Sequence, residues 1–111
     1  MSVKIRESYT AVVERDRTWT GAFATEPFEC AWAGEAIFFV RTLAINRPEN
    51  ITARVQISPD GMHWCDEGTT LRLPAEGATT FCKVTNFGNW LRLVGSTEKP
   101  VTVLVTLSLK E

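Results

Sequence analysis

The segment Ile51-Thr-Ala-Arg-Val-Gln-Ile-Ser-Pro-Asp-Gly-Met-His-Trp64 predicts a β-hairpin, and with it the fold class. Its first eight residues alternate between apolar and polar, which places the apolar side chains on one face of a strand and the polar ones on the other. Pro59 presets φ for a turn, Asp60 tolerates the next position, and Gly61 supplies the positive φ that reverses the chain. We therefore expect a strand with one face in a core and one in water, which turns back into Met62–Cys65.

Length and composition indicate one ordinary folded domain over residues 1–111. Apolar residues make up 44% of the chain and charged residues 23%, as in typical globular proteins. A chain of 111 residues is large enough for one core and too small for two. Twelve Lys and Arg against 13 Asp and Glu give a formal charge of −1, which leaves no basic surplus to capture nucleic acid or an anionic membrane. We expect neither partner.

The amino terminus and the cysteines bear on the compartment. Charges interrupt the apolar stretch that an export signal needs near the amino terminus. The longest apolar runs, Ala36–Val40 and Val103–Val105, are far shorter than the roughly 20 residues that span a bilayer. Cys30, Cys65 and Cys82 are widely spaced and odd in number, so neither a disulfide framework nor a zinc knuckle is indicated. We expect reduced, buried thiols and no cofactor in a protein that is cytoplasmic or part of an assembled particle.

Short strand patterns recur along the chain, separated by turn signals, and no segment shows a sustained helical period. In the most hydrophobic segment, Glu35–Ala44, apolar residues fall on both faces; a helix is the rival interpretation, but consecutive β-branched and aromatic residues favour a central strand. Turns are predicted at 14–17, 66–68, 74–77, 86–89 and 97–100. The predicted strands are one or two edge strands in Val3–Val13, then Thr18–Phe23, Phe28–Trp32, Glu35–Ala44, Ile51–Ser58, Thr69–Leu73, Thr79–Thr85, Trp90–Gly95 and Val101–Lys110. Together they predict an all-β fold, a single antiparallel β-sandwich of jelly-roll type with eight or nine strands.

Two motifs carry a resemblance to known families. The pattern Ser58-x-Asp60-Gly61-x-x-Trp64 ends one strand, and Trp90-Leu-Arg-Leu-Val94 forms a later one. This pairing resembles jelly-roll modules of the galactose-binding (discoidin-like) type and small sandwich proteins of phage particles, over about half of the chain. The resemblance implies a jelly-roll sandwich, since the Asp-Gly makes a turn and the tryptophan packs beneath it.

Candidate catalytic and metal-binding groups are few. The single histidine, His63, stands near Cys65, Asp66 and Glu67, but strand alternation separates these side chains and gives poor ligand geometry. Cysteine catalysis would have only His63 as a base for Cys65. No phosphate-binding loop or nucleophile elbow occurs. We therefore predict no catalytic residues, no metal site and no enzyme activity.

Four tryptophans in a chain of 111 residues suggest either core or binding surface. Trp19, Trp32 and Trp64 fall on apolar strand faces and are predicted to fill the core. Trp90 follows a loop and is the best candidate of the four for an exposed position; if exposed, it could serve as a sugar platform or an interface anchor. The candidate ligand-binding or interface residues are Trp90, Asn86, Asn89 and Arg92.

The last predicted strand, Val101–Lys110, supplies the other candidate surface. Its second face carries Thr102, Leu104 and Thr106, and an edge strand without blocking charges can pair with another copy. We therefore expect a homo-oligomer or a contact with another protein. The leading hypothesis is a non-enzymatic structural or assembly module that acts through self-association or protein–protein contacts. The alternative is a carbohydrate-binding module of the galactose-binding-like type.

Overall fold

The computed structural model describes residues 7–45 and 50–111. These residues form seven strands and no helix; the predicted Val3–Val13 strand lies partly, and the loop at 46–49 wholly, outside them. None of the described segments is a helix long and apolar enough to cross a membrane. The strands are β1 (Ser8–Ala24), β2 (Phe28–Glu29), β3 (Glu35–Ile45), β4 (Thr52–Ser58), β5 (Cys65–Arg72), β6 (Thr79–Thr85) and β7 (Trp90–Lys110).

Strand β7 is the central element of the architecture. It has 21 residues, and its first part pairs with β4 on one side and with β2 and the end of β1 on the other. Its last ten residues pair with β1 and β3. All described pairings are antiparallel, in the order β5-β4-β7-β3-β6 with β1 and β2 also on β7. Because β5 also lies beside β6, the sheet is nearly closed into a barrel-like shape.

The core lies inside this curved sheet. Alternate residues of β7 point inward and are fully buried, as are Leu91 and Leu93 earlier in the strand. Trp19 and Phe23 stack at 4.0 Å between ring centroids and close one side of the core. Burying each large apolar side chain contributes about 1.5–3 kcal/mol, so β7 is the main source of cohesion. The inward residues of its second half are Val101, Val103, Val105, Leu107 and Leu109.

The prediction of an all-β, antiparallel fold is confirmed, and so is the choice of strand over helix for Glu35–Ala44. The predicted hairpin is also present, since β4 and β5 pair across a turn with Gly61 at φ 78°. Its second strand begins at Cys65 instead of Met62, and the Cys65 thiol is exposed, whereas Cys30 and Cys82 are buried as expected. The sandwich and jelly-roll details are not confirmed, because the described strands form one continuous sheet.

The described residues form seven strands, fewer than the eight or nine predicted, because the predicted turns at 14–17 and 97–100 lie inside β1 and β7 and join strands that were predicted to be separate; the predicted turn at 66–68 also lies inside a strand, β5. Residues 14–17 form a bulge in β1, with Asp16 at φ 53° and the Glu14 carboxylate turned inward to accept the backbone N–H of Glu26 at 2.9 Å. Residues 66–68 form a bulge in β5, where Gly68 has φ 115°. Between Thr97 and Val101 the ladder with β1 shifts register, which leaves room for a proline without a lost ladder bond. The polar clusters therefore bend strands instead of reversing them.

Candidate interaction surface

An apolar row crosses the outer surface of the sheet. Val12 of β1 lies opposite Thr106 of β7, Thr106 lies opposite Phe39 of β3, and Phe39 lies opposite Phe81 of β6. Residues opposite one another in a ladder share a face, so these four side chains project together, away from the core. The rings of Phe39 and Phe81 are in contact, with centroids 6.0 Å apart and tilted by 42°.

The neighbouring rows extend this surface. Ile37 lies one row further along β3, opposite Ser108, and Leu104 lies opposite Arg41; both apolar side chains are half-buried. Val12 is 45% exposed and Phe81 is 55% exposed, which is high for such large apolar groups. A sheet face in contact with water normally carries polar side chains, so this one is unusual. We call it the outer apolar face and define it by Val12, Ile37, Phe39, Phe81, Leu104 and Thr106.

The last strand, which the sequence predicts at a sheet edge, lies in the middle of the outer apolar face. Strand β7 is hydrogen-bonded to β1 and β3 on its two sides along Thr102–Lys110, so the prediction that Thr102, Leu104 and Thr106 lie on a sheet edge is wrong. The reason is that β1 and β3, far away in sequence, both use β7 as their partner. The three side chains are half-buried on the outer surface, where the Thr102 hydroxyl is bonded to that of Thr18 at 2.9 Å.

The outer surface over β4 and the first part of β7 is polar. Asp66 accepts hydrogen bonds from Arg54 Nε at 3.1 Å and Gln56 Nε2 at 2.9 Å. Gln56 Oε1 in turn accepts two bonds from the Arg92 guanidinium, at 2.9 and 2.7 Å. The bonds from Gln56 and then Arg54 lower the pKa of the Asp66 carboxyl. These side chains satisfy one another, so this surface has little apolar area to bury against a partner.

The predicted ligand-binding residues are distributed over the edge of this polar region. The Arg92 guanidinium lies over the Trp64 ring at 4.2 Å, a cation–π contact. Trp90 is half-buried, because its indole packs over Gly61, where an added Cβ would be 3.2 Å from the ring. Asn89 donates from Nδ2 to the carbonyl oxygen of Pro59 at 3.1 Å, and Asn86 occupies the turn with φ 55°. Both asparagines stabilise loops, and the structure does not bring these residues together in one cleft.

A second exposed aromatic cluster lies where β1 begins. Tyr9 of β1, Phe28 of β2 and Trp32 of the β2–β3 loop line a surface groove of about 480 Å³ with Glu7 and Glu29. Trp32 is 39% exposed, so the prediction that it fills the core is wrong; the loop after the two-residue β2 carries it to the surface. Sequence reasoning did not find this groove, because its aromatic residues come from three separate segments. Trp19 is buried as predicted, whereas Trp64 is half-buried beneath Arg92 and is not part of the core cluster, so the prediction that Trp64 fills the core is wrong.

The groups considered for catalysis are engaged locally. The His63 ring is exposed and bonded to Asp60 at 2.6 Å. Hydrogen bonds hold the pKa of Asp60 well below its usual range. The largest effect comes from the backbone N–H of His63, followed by the His63 ring and the backbone N–H of Met62. The Cys65 thiol donates to the Ile57 carbonyl oxygen at 3.8 Å. Within the described ranges, no group of three or more His, Cys, Asp or Glu is placed to hold a metal ion.

A family model and a solved structure are similar to this chain. The family model described as "Domain of unknown function (DUF6385)" matches residues 38–110, from β3 to β7. The crystal structure of SPBc2 prophage-derived protein YomS resembles the whole chain with a TM-score of 0.65, at 8% sequence identity, and covers 100% of this chain and 99% of that one. No curated protein sequence matches the chain.

At this identity the likeness to YomS shows a shared fold. It supports the predicted resemblance to phage-type β proteins at the level of fold. It gives no support to the discoidin-like part of that resemblance. The residues matched by the family model include most of the outer apolar face, but not Tyr9, Phe28 or Trp32.

Proposed function

The chain belongs to the DUF6385 family, a domain of unknown function, and from its fold and surfaces we propose that it is a non-enzymatic structural module that works by self-association. The supporting observation is the outer apolar face, where Val12, Thr106, Phe39 and Phe81 form one row across four strands. Such a patch on an antiparallel sheet is typical of a protein interface. A protein of this kind fits the predicted setting of a cytoplasmic assembly or an assembled particle.

Self-association is favoured over other partners by the shape and chemistry of the face. A second copy presents the same apolar row, so a two-fold contact would pair the central rows of the two copies. Lys83 lies opposite Ile37 and Arg41 opposite Leu104, in the rows on either side of the central one, so their long side chains would have to extend their charged ends into water at the rim of the contact. The polar surface over Arg54, Gln56 and Asp66 lies on the other half of the sheet and would stay exposed.

The size of the face sets the expected affinity. The outer apolar face is the centre of a larger surface: four strands about 4.8 Å apart, over the length of β7 from Thr102 to Lys110, cover an area on the order of 500 Å² with the flanking polar rows included. A standard interface buries about 800 Å² per partner, so this contact lies at the small end of specific interfaces. We therefore expect a dimer with a dissociation constant in the micromolar range, which forms and separates with protein concentration.

Sedimentation velocity over a concentration series tests this proposal. The native protein should shift from monomer to dimer, and Phe81→Glu should remain monomeric, because a carboxylate would be buried without a partner in the contact. Met62→Glu is the matched control: Met62 is an apolar side chain, 73% exposed, in the β4–β5 turn outside the face. It should dimerise like the native protein. A native protein that is monomeric at every concentration, or a Phe81→Glu variant that dimerises normally, would refute the proposal.

A further inference from the structure

The groove formed by Tyr9, Phe28 and Trp32 is separate from the outer apolar face. Tyr9 lies opposite Leu109, which is fully buried, so it belongs to the inward-pointing row of β1. Tyr9 is nevertheless 55% exposed, because it lies near the start of β1, where the sheet opens at its end. Val12 and Thr10 point to the other side. A ligand in the groove and a second copy on the outer face could therefore be held at the same time.

The aromatic rings in the groove lie close together. Tyr9 and Phe28 form a stacked pair, with centroids 6.3 Å apart and 23° between their planes, and the Tyr9 side chain is 55% exposed. Trp32 is held beside them by its loop, in which the N–H of Ala33 donates to the Cys30 carbonyl at 3.0 Å and Gly34 N–H donates to that of Lys110 at 2.9 Å. The volume of about 480 Å³ lies in the range of about 300–1,000 Å³ that is usual for small-ligand sites.

Polar groups border the aromatic rings. Among the described residues, Glu7, Ser8 and Glu29 border the groove beside the rings, and none of the described lining residues is Lys, Arg or His. Glu29 uses Oε1 to accept the N–H of Ala31 at 3.0 Å, which fixes its side chain at the rim of the groove. Carboxylates accept hydrogen bonds and carry negative charge, so the groove favours ligands rich in hydroxyl donors and disfavours anions.

We propose that this groove binds a neutral pyranose sugar, as a terminal residue or short segment of a glycan. The apolar C–H face of a pyranose would lie on the exposed Tyr9 ring, which Phe28 supports by stacking, with Trp32 as the adjacent wall, and its hydroxyls would donate to Glu7 and Glu29. Uronic and sialic acids are excluded by repulsion from the two carboxylates. A methylated ammonium ligand binds best where several ring faces enclose it, whereas Tyr9 and Phe28 stack on each other and leave an open groove, which favours a sugar over such a cation.

Titration with defined small ligands, followed by tryptophan fluorescence and ligand-observed NMR, tests the proposal. The probes are cellobiose, lactose and maltose as neutral disaccharides, digalacturonate as the acidic one, and choline as the cation. At least one neutral disaccharide should bind, while digalacturonate and choline should not. Tyr9→Ala and Trp32→Ala should each weaken that binding by about tenfold, since each removes part of the stacking surface.

Phe81→Ala is the matched control, because Phe81 is exposed to the same extent as Tyr9 but lies on the outer apolar face. It should leave sugar binding unchanged even if it weakens the dimer, which separates this proposal from self-association. Thermal unfolding of each variant shows whether the fold is intact. The proposal is overturned if no neutral disaccharide binds at about 10 mM, if digalacturonate or choline binds instead, or if Phe81→Ala lowers the affinity as much as Tyr9→Ala does.

Discussion

Replacing Gly95 by alanine is expected to destabilise the protein by about 1–3 kcal/mol, although it adds a single methyl group. Gly95 lies opposite Phe23 in the β1–β7 ladder. A Cβ at this position would be 2.5 Å from Cζ of Phe23 and 3.0 Å from the carbonyl oxygen of Thr52. Carbon atoms in normal contact are about 3.5–4.0 Å apart, so the ring or the strand would have to move by about 1 Å.

Neither neighbour can move easily. The Phe23 ring is 7% exposed and stacks on Trp19 at 4.0 Å, with 3° between the planes. The Thr52 oxygen belongs to the backbone at the start of β4. Alanine can adopt the backbone conformation of Gly95, whose φ is not positive, so the cost is steric and arises in the folded state.

Urea unfolding at equilibrium measures this cost. Gly88→Ala is the control, because a Cβ there would be 3.8 Å from its nearest neighbour, the Ser58 oxygen, and its stability should stay within about 0.5 kcal/mol of the native value. The double variant Phe23→Leu, Gly95→Ala should be more stable than the sum of the single changes by about 0.5–3 kcal/mol, since leucine lacks the clashing ring atoms. Gly95→Ala unfolding at the same urea concentration as Gly88→Ala would refute the packing argument.

Two further predictions concern ionisable groups. At pH 7, Asp60→Asn should lower the urea midpoint, because the Asp60 carboxylate accepts the backbone N–H groups of His63 and Met62 and its pKa is thereby lowered. This contribution to stability is present above the unfolded-state pKa of about 4 and is lost as the pH falls below that value. The urea midpoints of the native protein and the variant should therefore converge in acid. A constant difference between the two midpoints down to about pH 2.5 would contradict this prediction. In the folded protein, Ellman's reagent should titrate the exposed Cys65 and spare Cys30 and Cys82, because burial raises their pKa values to about 12 and about 11. Rapid reaction of a second thiol without denaturant would show that this burial is incorrect.

Local patterns in the sequence predicted strands well and strand ends less well. Alternation identified the core-facing residues correctly from Ile51 to Val55 and after Val101, because a strand has one repeat and one buried face; at the end of β4, Ser58 is buried and Ile57 only partly so. Residues 97–100 resemble a turn as much as a bulge, since proline and charged residues occur in both. The difference is decided by the partner strand β1, about eighty residues away, and no local pattern contains that information.

The same reasoning explains which surfaces could be predicted. The second face of β3, with Ile37 and Phe39, was recognised as apolar, and Thr106 was assigned to an interface, so two strands of the outer apolar face were visible in the sequence. Val12 and Phe81 join them only through the ladder. The groove depends on Tyr9, Phe28 and Trp32 meeting in space, and Trp32 was misplaced because the strand at Phe28 is two residues long instead of five.

The position of β7 in the chain has a consequence for biogenesis. Strand β7 pairs with β1, β2 and β4. It also pairs with β3, whose other neighbour is β6. On the ribosome, the emerging polypeptide can close the β4–β5 and β3–β6 pairs, but its first strand has no mate until residues up to Lys110 have been translated. Most of the sheet therefore cannot form until β7 has been made, and such high contact order makes folding slow, in the range of milliseconds to seconds.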